Sequence, residues 1–84
     1  MKPIRLSQHA QGYLARRGFT IAEVEETIHG APWEPAERGR LQCRKDFAFQ
    51  SNWNGKWYNT KEVRPVFADE PEGIVVVTVY TYYY

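Results

Sequence analysis

Ile74-Val75-Val76-Val77-Thr78-Val79-Tyr80-Thr81-Tyr82 is β-branched or aromatic at every position. Branching at Cβ crowds the preceding turn of a helix, whereas a pleated strand accommodates it, so this segment reads as a strand. Apolar residues at both odd and even positions are expected of a strand central in a sheet or covered on both sides. Glu70-Pro71-Glu72-Gly73, just before it, has the composition of a turn. Trp57 to Asp69 supplies the preceding strand, and Asn54-Gly55 is a short hairpin signal leading into it. From Leu41 to Phe49 the odd positions read Leu, Cys, Lys, Phe, Phe, while the even ones are mostly polar. That is strand alternation with one misfit, Lys45. Pro65 has no N–H, so it marks an edge, a bulge or a break.

Helical signals fill the N-terminal part. Ser7 can cap a helix whose apolar side is Ala10, Tyr13, Leu14 and the aliphatic stem of Arg17, with Gly18 ending it. Thr20 and Glu23 have capping-box spacing, so a second helix starts at Ile21. Its buried side is Ile21, Val24 and Ile28, and it stops at Gly30 ahead of Pro32. The order ααβββ, with room for a short strand at Lys2–Leu6, predicts an α+β domain. Two N-terminal helices would pack on a three- to four-stranded antiparallel sheet. The 84 residues, 9.9 kDa, suffice for one hydrophobic core, so residues 1–84 are read as a single domain.

Composition excludes several classes. With 43% hydrophobic and 25% charged residues the chain is expected to fold rather than remain disordered. The longest strongly apolar run, Ile74 to Val77, is too short to span a bilayer, and Met1 to Leu6 has no signal-peptide core. The expectation is a cytoplasmic protein with no membrane partner. Cys43 is the only cysteine, which excludes an internal disulfide and a multi-thiolate zinc site. His9, His29 and Cys43 lack metal-ligand spacing, so neither a metal nor a cofactor is expected.

Charge is segregated. Residues 1–22 carry Lys2, Arg5, Arg16 and Arg17 without an acid, and residues 23–37 carry five glutamates without a base. Residues 38–64 carry seven bases and two acids, and residues 65–84 three acids. A fold that brings the two basic segments together makes a face suited to a polyanion, although the net charge is only +1.

Chemistry-bearing residues are few. His9 lies in the first turn of the first helix, one turn before Tyr13 and two before Arg16 and Arg17, and an imidazole can exchange protons near neutral pH. A backbone-bonded structural histidine is the alternative. Lys45 either snorkels to water or lines a phosphate-binding cleft. Arg44 and Arg64 are expected on strands, where a guanidinium fork is held for bidentate phosphate contacts. Thr78, Tyr80 and Tyr82 share one face of the last strand, offering hydroxyls and rings for phosphate and base, or else packing as core tyrosines with wet tips. Tyr83 is assigned to the other face with Val75, Val77 and Val79.

The string His9-Ala10-x-x-x-Leu14-x-x-Arg17-Gly18-Phe19-Thr20, followed by Glu23-Val24, resembles the opening of a bacterial family of small domains of unknown function, number 4258. Thr60-Lys61-Glu62-Val63-Arg64 and Ile74-Val75-Val76-Val77-Thr78-Val79-Tyr80 resemble its later signatures. The resemblance covers almost the whole chain. It implies a place in the barnase–EndoU–colicin–RelE superfamily, beside the RelE/ParE and BrnT toxins, and ribonuclease activity or descent from it. His9, Arg17, Thr78 and Tyr80 match the family's helix histidine, its arginine before glycine and the polar positions of its last strand. Lys45 and Arg64 match basic strand positions. Tyr13 departs from the arginine of many relatives, a role Arg16 is placed to take.

Two functions are compatible with these residues. The first is a toxin-like, metal-independent endoribonuclease, in which 2′-OH attack leaves a 2′,3′-cyclic phosphate. His9 would act as base or acid, and Arg17, Lys45 and Arg64 as charge stabilisers. Thr78 and Tyr80 would position the phosphate or a base, with Arg16, Arg44 and Tyr82 in substrate binding. Its partners would be RNA, including ribosome-bound mRNA, and an antitoxin protein. The second is a non-catalytic RNA- or protein-binding module on the same fold.

Overall fold

The computed structural model describes residues 2–84. A six-stranded mixed sheet carries three short helices on one face, in place of the expected two helices on a smaller antiparallel sheet. Strand β1 (Ile4–Leu6) leads into α1 (Gln8–Gly12), α2 (Leu14–Arg17) and α3 (Ile21–Gly30). Two two-residue strands, β2 (Glu34–Pro35) and β3 (Leu41–Gln42), form a hairpin with a 3-10 turn over Glu37–Gly39. The long strands follow: β4 (Lys45–Trp53), β5 (Lys56–Glu70) and β6 (Gly73–Tyr83). The sheet order is β1-β6-β5-β3-β2, and β4 pairs with β5.

Each departure from the expected fold has a local cause. The first helix breaks at Tyr13, whose N–H turns back to Ala10 O at 3.1 Å, an i→i−3 bond, just after the poor helix former Gly12. The first strand runs parallel to β6, pairing Ile4–Leu6 with Ile74–Val76, and makes the sheet mixed. The strand expected over Leu41–Phe49 is interrupted at Cys43-Arg44. There the opposing residue is Pro65: Cys43 N donates to Pro65 O at 3.3 Å, and the proline has no N–H to return the bond. On both sides of this gap β3 and β4 keep the same register with β5, Gln42 opposite Val66 and Lys45 opposite Val63. Asn54 and Gly55 have φ of 52° and 84°, the paired left-handed conformation that a two-residue hairpin requires.

The core lies between the helices and one face of the sheet. Ala10, Phe19, Val24 and Ile28 pack against Val63, Phe67, Ile74, Val76 and Val79, all nearly or fully buried. A register shift between β5 and β6 leaves Val77 as an extra residue, since Val66 pairs with Thr78 and Phe67 with Val76. The bulge changes the alternation of β6. Ile74 and Val76 therefore share the core with Val79, and Thr81 and Tyr83 beyond it bond to Arg17 O in α2. This corrects the grouping of Tyr83 with Val75 and Val77. Thr78, Tyr80 and Tyr82 face away from the helices, beside Val66, Arg64 and Glu62 of β5. No helix among the described residues is long and apolar enough to cross a membrane.

Candidate active site at the free edge of strand β6

Beyond Val76, β6 has no strand on its outer side among the described residues, because β1 ends at Leu6. The helices cover that edge instead. Ser7 Oγ donates to Val77 O at 3.2 Å, and Arg17 Nη1 donates to Val79 O at 2.9 Å and to Thr78 Oγ1 at 3.3 Å. The carbonyl of Val79 is free to accept because Pro65, its partner on β5, directs its own backbone toward Cys43.

The backbone of Arg17 is also held. Its carbonyl accepts from Thr81 Oγ1 and Tyr83 Oη, each at 2.7 Å. Gly18 caps α2 with φ of 75°, and the Tyr83 and Trp53 rings lie so close that a Cβ there would fall 2.4 Å from Tyr83 Oη. Tyr83 stacks on Trp53 with centroids 4.9 Å apart and meets Phe49 edge-on. Lys61, buried under α2, bonds Gly18 O at 2.9 Å and Glu23 Oε2 at 2.8 Å. The arginine is therefore fixed at both ends.

Around the guanidinium stand two rings. Its central carbon is 3.8 Å from the Tyr13 centroid and 5.1 Å from that of Tyr80. Tyr13 meets His9 edge-on at 4.9 Å, and the Arg16 guanidinium lies 5.0 Å from the same ring. His9, Arg16 and Tyr80 are exposed. One edge of the molecule thus offers an imidazole, one hydrogen-bonded and one exposed guanidinium, a threonine hydroxyl and an open tyrosine face. These groups can accept or give a proton, hold an anionic oxygen and stack on a flat ring.

The structure unites five of the residues singled out in the sequence: His9, Arg16, Arg17, Thr78 and Tyr80. Arg64 is the register partner of Tyr80 on the helix-free face, with its guanidinium 5.4 Å from the Tyr82 ring and bonded to Glu62 at 3.0 Å. Its Nε is buried without a hydrogen-bond partner among the described residues. Lys45 is elsewhere. It points to the helix side from β4, with β5 between it and β6, and pairs with Glu26 of α3. Arg44 is exposed in the gap between β3 and β4, off any strand. Tyr13 is the residue that sequence reasoning undervalued. It lies four residues after His9 and four before Arg17, at the junction of α1 and α2, where its ring meets both side chains. Among the described residues no cluster of His, Cys, Asp and Glu could hold a metal ion. No family model, curated protein or solved structure matches the chain.

Proposed function

We propose that this chain is a toxin-like, metal-independent endoribonuclease acting in the cytoplasm, with its active centre at the free edge of β6. The observation that carries the reading is the meeting of His9, Tyr13, Arg17, Thr78 and Tyr80 at one edge of the sheet, with His9 and Tyr80 exposed. The resemblance to family 4258 supports it from the sequence side. His9 takes the proton of a ribose 2′-OH, and the 2′ oxygen bonds to the adjacent phosphorus. The P–O5′ bond breaks, and the 5′ oxygen takes a proton from solvent, leaving a 2′,3′-cyclic phosphate. Arg16 and Arg17 offset charge gathering on the phosphoryl oxygens, where a preorganised donor is worth most. Tyr80 stacks on a neighbouring base.

The test is cleavage of a labelled single-stranded RNA in EDTA, comparing wild type with His9→Ala purified identically. Removal of a general acid or base costs about a hundredfold or more in rate. Cyclic-phosphate product from wild type only is expected. Equal cleavage by both proteins removes His9 from the mechanism, and no cleavage with or without added ribosomes removes the nuclease.

One observation favours a second reading, a non-catalytic RNA- or protein-binding module. Nη1 of Arg17 already donates to Val79 O and Thr78 Oγ1, so part of the guanidinium's capacity is used within the fold. That reading expects RNA or partner binding without product. An antitoxin covering the basic edge is compatible with the nuclease reading.

A further inference from the structure

On the helix-free face, a groove of about 630 Å³ runs from the β2–β3 turn to β6. Its floor is one rung of the sheet, Gln42 opposite Val66 and Val66 opposite Thr78, crossing β3, β5 and β6. One wall is the turn, closed by Ala36 N to Arg40 O at 2.8 Å, which presents Arg38 and Arg40. Tyr80 forms the other wall. Among the described residues neither Arg38 nor Arg40 has an ion-pair or side-chain hydrogen-bond partner. Glu37 also lines the groove, so the two guanidinium groups outweigh a single carboxylate there.

We infer that this groove seats a nucleotide of single-stranded RNA flanking the one at the Arg17 cluster, with Arg38 and Arg40 on its phosphate. The inference rests on the proposed RNA-directed function and extends it to a second subsite. Four features argue for this occupant. Thr78 and Tyr80 belong to both the groove and the Arg17 cluster, so one strand can lie in both without a gap. The volume falls within the range of small-ligand sites, about 300–1,000 Å³. Tyr80 is 43% exposed and offers a ring on which an unstacked base can lie, as a single strand provides and a duplex does not. Arginine forks suit a phosphate, and Val66 and Val77 give the sugar an apolar floor.

The experiment reads binding in the His9→Ala background, so that cleavage plays no part in it. A dye-labelled single-stranded RNA of about ten nucleotides is titrated by fluorescence anisotropy at several salt concentrations. Arg38 has φ of 60°, so it is changed to Asn, which tolerates that conformation, together with Arg40→Gln. The double variant is expected to bind at least about tenfold more weakly, with a log–log salt slope shallower by about one to two. Tyr80→Ala is expected to weaken binding at unchanged slope. A control removing exposed Lys56 and Arg5 should change affinity less than threefold. The inference is overturned if the double variant and the control lose affinity equally, or if duplex RNA binds as tightly as the single strand. It is equally overturned if poly-glutamate displaces the RNA at equal charge, which would make the groove an acidic-peptide site. Wild type that binds through the groove but never cleaves overturns the nuclease and leaves the groove standing.

Discussion

The guanidinium of Arg17 lies 3.8 Å from the centre of the Tyr13 ring and donates at 2.9 Å to the carbonyl of Val79, on the edge that β1 leaves open. An arginine so placed does two things. It supplies a hydrogen bond to an edge strand that no neighbouring strand provides, and it holds positive charge beside an exposed histidine and tyrosine. Arg17→Lys keeps the charge but loses the planar fork. The expected outcome is at least about tenfold slower RNA cleavage. Stability should fall by about 1 kcal/mol, the usual worth of one partly buried hydrogen bond. Cleavage kinetics and urea unfolding of the same preparation check both parts.

Two glycines in the helical segment should respond to alanine with opposite sign. Gly18 has φ of 75° and no room for a Cβ beside Tyr83 and Trp53. Gly12 meets nothing within 4 Å and lies at the end of α1. Gly18→Ala should destabilise by about 2 kcal/mol or more, the sum of a left-handed backbone and a displaced aromatic pair. Gly12→Ala should stabilise by roughly 0.5–1 kcal/mol through helix propensity and reduced freedom of the unfolded chain. Midpoints of thermal unfolding decide both signs.

What could be read from the sequence follows from which interactions are local. The capping box of Thr20 and Glu23 and the Asn54-Gly55 turn depend on neighbours in the chain, and both are present as read. The parallel pairing of β1 with β6 joins residues about 70 positions apart and leaves no periodic mark in a three-residue strand. The bulge at Val77 is likewise invisible in an all-apolar run, where either alternation fits. Helical spacing groups His9 with Arg17 and strand spacing groups Thr78 with Tyr80, whereas only the family resemblance joins the two pairs. The partner of Lys45, Glu26, is not legible in the strand pattern because it comes from a helix far from it in the chain. Arg38 and Arg40 are legible only as part of the basic segment 38–64, since no spacing in a charged turn singles them out.

Lys61 is the buried charge of this fold, with its side chain only 8% exposed between Glu23 and the carbonyl of Gly18. Glu23 is also the third residue of α3 and the reciprocal partner of Thr20 in its capping box, accepting from Thr20 N at 3.0 Å through its other oxygen. One lysine therefore ties the end of α2 and the start of α3 to β5. Lys61→Met keeps most of the volume but leaves a carboxylate and a carbonyl without their partner. The expected loss is about 3–5 kcal/mol, as when one member of a buried pair is removed. Adding Glu23→Gln, which preserves the cap acceptor and removes the stranded charge, should recover at least half of that loss in urea unfolding. Additive losses in the double variant would show that the two residues do not act as a pair.

Cys43 lies in the gap between β3 and β4, buried, with its thiol 3.6 Å from the Thr27 carbonyl of α3. Burial, and then the negative charge of Glu34, push its pKa from 9.0 up to about 11. The folded chain therefore keeps this proton at pH values where the unfolded chain releases it. The resulting stability is fully present below about pH 9 and is lost as pH rises through about 11. Cys43→Ala deletes the titrating group, so its unfolding free energy should fall less steeply than that of wild type between pH 9 and 11. Taking the difference between the two proteins cancels the other alkaline groups, including Tyr83, whose phenol burial also holds above its ordinary range. Alkylation gives an independent reading. At pH 8 Cys43 should react with iodoacetamide only as fast as the fold opens, and at the free-thiol rate in urea. Prompt reaction of the folded protein would mean that the gap opposite Pro65 admits solvent to the thiol.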